Sequence, residues 1–283
     1  MADPLSHVQD AYYFELPQAL GGILPVPQFF GGKLKFIDGH HPAFVRESGF
    51  CISKFMFLEI VAAVLLVLVF VPLGRRIATG ERPKGCWWNF FELLLLFIRD
   101  DVARAAIGKK DGDRFVPFIW TIFFFILFCN LLGILPWSGT ATGAVGTTGA
   151  LALLVICISI GAGSSKLGLV GFWKAQVPHM DLPGVMAILL IPMLFFIEVL
   201  GLAIRHIMLA MRLFANMFAG HVVLAVLIGF VAQVTGLLWF AVMPASVFGC
   251  TAMTLLEIFV AFLQAYIFAF LSALWIGMAV HPH

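Results

Sequence analysis

Two apolar stretches constrain this chain more than anything else in it. Gly184 to Ile228 and Leu237 to Ala279 run for 45 and 43 residues. As helix, at about 1.5 Å per residue, each reaches roughly 65 Å. That is about twice the ~30 Å hydrocarbon core of a bilayer. Each stretch must therefore hold two crossings or form one long, inclined helix. Two crossings need a polar turn in the middle, and neither stretch has one. Pro192 and Pro244 lie near the starts, where they kink a helix without ending it. The reading is two long tilted helices, about 184–228 and 237–279, joined by Gly229 to Gly236.

Both stretches carry polar residues in an ordered pattern. Arg212 sits inside sequence otherwise fit for lipid. A guanidinium at mid-membrane costs at least roughly 2.5 kcal/mol on insertion scales. It stays protonated, so it cannot escape that cost by losing its charge. Snorkelling from a helix end is a poor explanation, because apolar sequence continues well past it on both sides. Glu198, Arg205 and Arg212 are each seven residues apart, which brings them to nearly one helix face. His206 adjoins Arg205, Asn216 follows Arg212 by four residues, and His221 falls half a turn round from Arg212. In the second stretch Glu257 and Gln264 are again seven apart, with Ser246 on the same side. If Arg212 lies beside Gln264 on an antiparallel neighbour, His221 falls within one turn of Glu257. Two polar stripes on apposed membrane helices point to a path for protons or ions.

The rest of the chain agrees with a polytopic, all-α membrane protein of about five to six membrane helices. Of 283 residues 62% are apolar and only 11% charged, with 30 Phe. A net charge of +2 is too small to argue for nucleic acid. Residues 1–53 are mixed, with Pro and Gly, and read as an extramembrane or interfacial arm. Residues 54–283 form one membrane domain. Its first helix is expected at about 55–74, followed by a loop from Arg75 to Arg114 with nine of the seventeen Lys and Arg residues. By the positive-inside rule that loop is cytoplasmic and the N-terminal arm lies outside. Within it, 87–107 reads as an interfacial amphipathic helix, with Trp87, Phe91, Leu94 and Ile98 at helical spacing. Further helices are expected at about 115–136, containing the polar Asn130, and at about 148–164. His281 and His283 end the chain on the inner side.

The five cysteines are scattered without a CxxC pair, and His40 and His41 near Cys51 lack a ligand spacing, so no metal site is expected. The Gly/Thr-rich run Gly139 to Gly149 is no phosphate loop, since no GK[ST] ends it. No nucleotide-binding motif, cofactor motif or cleaved signal peptide is read.

Several motifs carry a family resemblance. MRLFANMFAGH at Met211 to His221, LQAYIF at Leu263 to Phe268, NFFELLLLFIRDDVARAAIG in the basic loop and FCNLLGILPW at Phe128 to Trp137 resemble subunit a of the membrane sector of F-type ATP synthases. The resemblance covers about residues 54–280. It implies that Arg212 is the essential arginine facing a rotor ring of c subunits, with Gln264 beside it. It implies that Asn216, His221 and Glu257 line an outer half-channel and that Glu198 lies toward a cytoplasmic one. The His221/Glu257 order resembles the mitochondrial arrangement. Arg205-His206 stands where some relatives have Lys-Pro. Gly133 stands where some have an acidic residue, so the outer channel must be completed differently. Arg205, His206, Asn130 and Ser246 are further candidates for channel lining.

The mechanism that the resemblance implies rests on charge. A carboxylate on the ring is neutral against lipid and becomes an anion beside Arg212, because an opposite charge lowers a carboxyl pKa. At 4 Å and an effective dielectric of 20 the attraction is on the order of 4 kcal/mol. The partners implied are the c-ring, peripheral-stalk b subunits, the whole ATP synthase and membrane lipid, and the location implied is a bacterial inner membrane. The chain is then not an enzyme by itself. The alternative is a secondary transporter using an intramembrane arginine for an anionic solute. Such proteins usually show internal repeats and interrupted helices, and neither is legible in this sequence. A purely structural scaffold fits poorly with so many buried polar positions on two helices.

Overall fold

The computed structural model describes residues 13–15, 23–30, 33–36, 53–78, 85–135, 140–175 and 184–281. His40, His41, Cys51 and His283 lie outside these. Among the described residues, the membrane portion is predominantly helical. In chain order it contains α1 (Lys54–Ala78), α2 (Cys86–Phe97), a π-helical segment (Ile98–Ala103), α3 (Arg104–Ile107), α4 (Lys109–Ile134), α5 (Val145–Leu167), α6 (Leu169–Ala175), α7 (Gly184–Gln233) and α8 (Trp239–Val280). Among the described residues, the arm adds two short antiparallel hairpins. β1 (Tyr13–Glu15) pairs with β2 (Ile23–Pro25), and β3 (Pro27–Phe30) with β4 (Lys33–Phe36). Proline at a strand end loses no ladder bond it needs, which suits Pro25 and Pro27 to these positions.

Five of the described helices are long and apolar enough to cross a membrane: α1, α4, α5, α7 over Leu190–Val231, and α8. The two C-terminal stretches are each one uninterrupted helix, of 50 and 42 residues. Pro192 and Pro244 lie inside them, near their starts. A largely apolar helix of 42 residues, ~63 Å long, stays within a ~30 Å core only if steeply inclined. The turn between them uses Gly236 at φ 77°, a left-handed conformation open to glycine at no steric cost.

The chain forms two compact units. The first comprises residues 1–72, 125–147 and 213–264, and the second 73–124, 148–212 and 265–283. In the first, Phe55 and Leu58 of α1 pack with Ala141, and Phe14 of the arm joins them. Phe14 and Phe57 meet edge to face with ring centroids 5.9 Å apart.

In the second unit, α2 turns its Leu94 inward while Trp87 and Leu93 stay exposed. It is fastened to α4 by Trp120 Nε1, which donates to the Leu95 carbonyl at 2.8 Å. Tyr266 of α8 stacks on Phe97 at 5.7 Å. A Cβ at Gly277 would strike the backbone carbonyl of Ala106, so the bare glycine is what lets α8 approach α3 so closely. The π-helical segment carries an exposed charge cluster outside the spans. Arg99, aided by Arg104, holds the Asp100 carboxyl below its ordinary value through hydrogen bonds and charge.

Candidate functional site

In the first unit a line of polar groups runs between apolar helices. Asn216 Nδ2, on α7, donates to Gln264 Oε1, on α8, at 2.9 Å. One turn further along α7, Gly220 lies against the Glu257 side chain, whose Cδ is 3.1 Å from where a Cβ on Gly220 would sit. The two contacts fix an antiparallel register in which numbers rise on one helix as they fall on the other. Gln264 and Glu257 are both buried, and among the described residues Gln264 Nε2 and Glu257 Oε2 have no hydrogen-bond partner.

His221 does not form an ion pair with Glu257 among the described residues. Its Nε2 instead meets the hydroxyl of Thr140. Helix geometry accounts for this partner. Successive residues point about 100° apart, so when Gly220 faces α8, His221 faces the segment after α4. Thr140 can come this close because residue 133 is glycine: a Cβ there would collide with the Thr140 side chain. The absence of a side chain at position 133 is thus what admits Thr140.

The polar line continues with Asn130, fully buried on α4. Its Nδ2 donates to the Ala261 carbonyl at 3.4 Å, and its Oδ1 accepts from Thr142 Oγ1 at 2.7 Å. A carboxylate from α1 also belongs to this unit: Glu59 Oε1 accepts from Thr147 Oγ1 at 2.7 Å. Ser246 is buried near the start of α8.

In the second unit the heptad stripe on α7 forms a bonded pair. Arg205 Nη2 donates to Glu198 Oε1 at 2.8 Å, with both side chains about two-fifths exposed. His206, by contrast, is buried. Its Nδ1 is 2.8 Å from the Leu202 carbonyl oxygen and its ring is 4.2 Å from that of Trp275. Arg212 is exposed, and among the described residues it makes no hydrogen bond and no ion pair. Its counter-charge is not supplied by these residues of its own chain.

Comparison with known proteins shows the family. The family model described as ATP synthase A chain matches residues 56–277. This chain belongs to that family. It is 45% identical over 235 residues to the ATP synthase subunit a of Myxococcus xanthus (strain DK1622), covering 82% of this chain and 75% of that protein. To the ATP synthase subunit a of Anaeromyxobacter sp. (strain Fw109-5) it is 36% identical, over 99% of this chain and 70% of that one. The subunit of Rhodopseudomonas palustris (strain TIE-1) is also 36% identical, with 91% and 98% covered.

Sequence reasoning missed several members of these clusters. Thr140 and Thr142 were legible only as part of a Gly/Thr-rich loop, and Glu59 only as a residue within the first expected helix. Ser159 and Trp275 read as ordinary helix residues. A period of seven reveals groups on one helix face, whereas these groups come from other helices and loops and share no spacing with it.

Proposed function

We propose that this chain is the proton-translocating subunit of the membrane sector of an F-type ATP synthase, and that Arg212 is the group a rotor carboxylate must pass. The observation that carries the reading is Arg212 itself: a permanent cation on an apolar helix, exposed, with no counter-ion among the described residues of its own chain. A charge in that position calls for an acidic partner, a water-filled cavity, or both. A ring of c subunits, each with one membrane carboxylate, has the required chemistry. A carboxylate passing Arg212 is stabilised as an anion and releases its proton to one aqueous path. It takes another proton from a second path before it returns to lipid. The fixed charge of Arg212 keeps protons from crossing directly between the two paths.

The residues of the first unit support one path: Asn216 and Gln264, Glu257, then His221 with Thr140, and Asn130 with Thr142. Glu198, Arg205 and His206 support the other. The basic segment 75–114 favours a cytoplasmic location for that loop, an outer N-terminus and an inner C-terminus in a bacterial inner membrane. ATP chemistry then belongs to other subunits of the complex, with b subunits of the peripheral stalk holding this chain against the ring. The alternative of an anion transporter is less well supported. Such proteins place unwound helix at the membrane midplane, whereas α7 and α8 are continuous.

The test is ATP-driven proton pumping in inverted membrane vesicles. Arg212→Ala is expected to abolish pumping while the subunit still inserts and assembles. Arg212→Lys should also fail, because lysine lacks the planar fork and can lose its proton when desolvated. Near-normal pumping by assembled Arg212→Ala complexes would overturn the assignment.

A further inference from the structure

The second unit contains a pocket of about 70 Å³ whose lining includes Ser159 of α5, Glu198, Arg205 and His206 of α7, and Trp275 and Met278 of α8. That volume is enough for water, and water settles where polar groups need partners. Two such groups line this pocket. His206 is 2% exposed and Ser159 3% exposed, and His206 Nε2 and Ser159 Oγ have no hydrogen-bond partner among the described residues. Buried polar atoms left dry are strongly penalised, which favours water at both.

The histidine is set up for one task. The Leu202 carbonyl, 2.8 Å from Nδ1, can only accept, so Nδ1 carries the ring hydrogen. The lone pair of the neutral ring is therefore on Nε2, the unpartnered atom. The charged groups lining the pocket are Glu198 and Arg205, already joined to each other on α7. Ser159 of α5, Phe172 of α6, and Trp275, Met278 and Ala279 of α8 add none.

We propose that this pocket is a hydrated proton-relay site, in which His206 Nε2 takes up and returns the proton and Ser159 Oγ orients the water beside it. The step balances. An O–H bond of a protonated water breaks as the Nε2–H bond forms, leaving neutral water and an imidazolium. The Trp275 ring, 4.2 Å away, stabilises that cation. The Nε2–H bond then breaks toward the next water, or toward Glu198, and the neutral ring is restored. Nδ1–H stays on the Leu202 carbonyl throughout and fixes the ring.

The inference rests on the proton-translocating reading, and the experiment separates the two. Whole complexes carrying His206→Gln, His206→Ala, Ser159→Ala or Arg212→Ala are compared in inverted vesicles for assembly, ATP-driven pumping and the pH profile of pumping. His206→Gln keeps a hydrogen-bonding side chain but cannot titrate. It is expected to assemble, to pump about tenfold more slowly, a modest share of what proton transfer by a placed group supplies, and to lose the pH dependence of the native complex. Millimolar imidazole should restore pumping in His206→Ala, where the ring's space is vacated, and not in His206→Gln. Ser159→Ala should slow pumping a few-fold with the pH profile retained. Full pumping with a native pH profile in His206→Gln overturns the relay, as does an assembled His206→Ala complex that imidazole leaves unchanged. If His206→Gln fails to assemble, the imidazole response of His206→Ala decides. Pumping by Arg212→Ala would sink the underlying reading instead.

Discussion

A methyl group added at Gly220 tests whether the Glu257 carboxylate must sit where it does. The Cβ of Gly220→Ala would meet the end of the Glu257 side chain, with Cδ at 3.1 Å and Cγ at 3.3 Å and the nearer carboxylate oxygen in collision. These atoms belong to the free end of a flexible side chain, so relief is cheap: the carboxylate retreats by roughly an ångström to ordinary contact distance. Replacing a helix-interior glycine by alanine also favours the helix by about 0.8–1 kcal/mol. The net change in stability is expected within about 1 kcal/mol of zero. The effect on transport is expected to be much larger, because displacing a positioned group by ~1 Å can cost up to about 100-fold. Assembled Gly220→Ala complexes should pump protons at least ~10-fold more slowly.

Gly277→Ala is the control with the opposite signature. Its Cβ would meet the backbone carbonyl of Ala106, which cannot rotate away. Overpacking of that kind costs about 1–3 kcal/mol, exceeding the propensity gain. Thermal denaturation of the detergent-solubilised complex and vesicle pumping report the two effects separately. Native pumping by Gly220→Ala at native assembly would refute the argument that the Glu257 position matters. Loss of the assembled complex in Gly220→Ala would refute the claim that the carboxylate can yield.

Three further outcomes are expected from the polar contacts. Asn130→Leu should destabilise the complex by about 1–3 kcal/mol by stranding the buried Thr142 hydroxyl, and adding Thr142→Val should recover part of it, a coupling read from a thermal-stability double-mutant cycle. Gln264→Leu should slow pumping less than Arg212→Ala does, since the amide positions Asn216 without carrying charge; equal loss would make it part of the obligatory path. Exchanging the pair as His221→Glu with Glu257→His should not restore pumping, because His221 bonds to Thr140 and not to Glu257 among the described residues; recovery in vesicles would show that the two communicate directly.

The apolar runs and the motif around Arg212 were enough to determine the architecture and the family. A bilayer leaves few options for a chain with such runs: backbone groups must be satisfied within each helix, so length and hydropathy alone locate the spans. Charges recurring every seven residues likewise mark their own helix face, as Glu198 and Arg205 do by bonding to each other. Partners across helices are another matter. Whether His221 met Glu257 or Thr140 depended on a rotation of about 100° between adjacent residues and on the missing side chain of Gly133. The pocket at His206 depended on which faces of α5, α6 and α8 close over α7. Periodicity states which residues share a face, and only packing decides what that face meets.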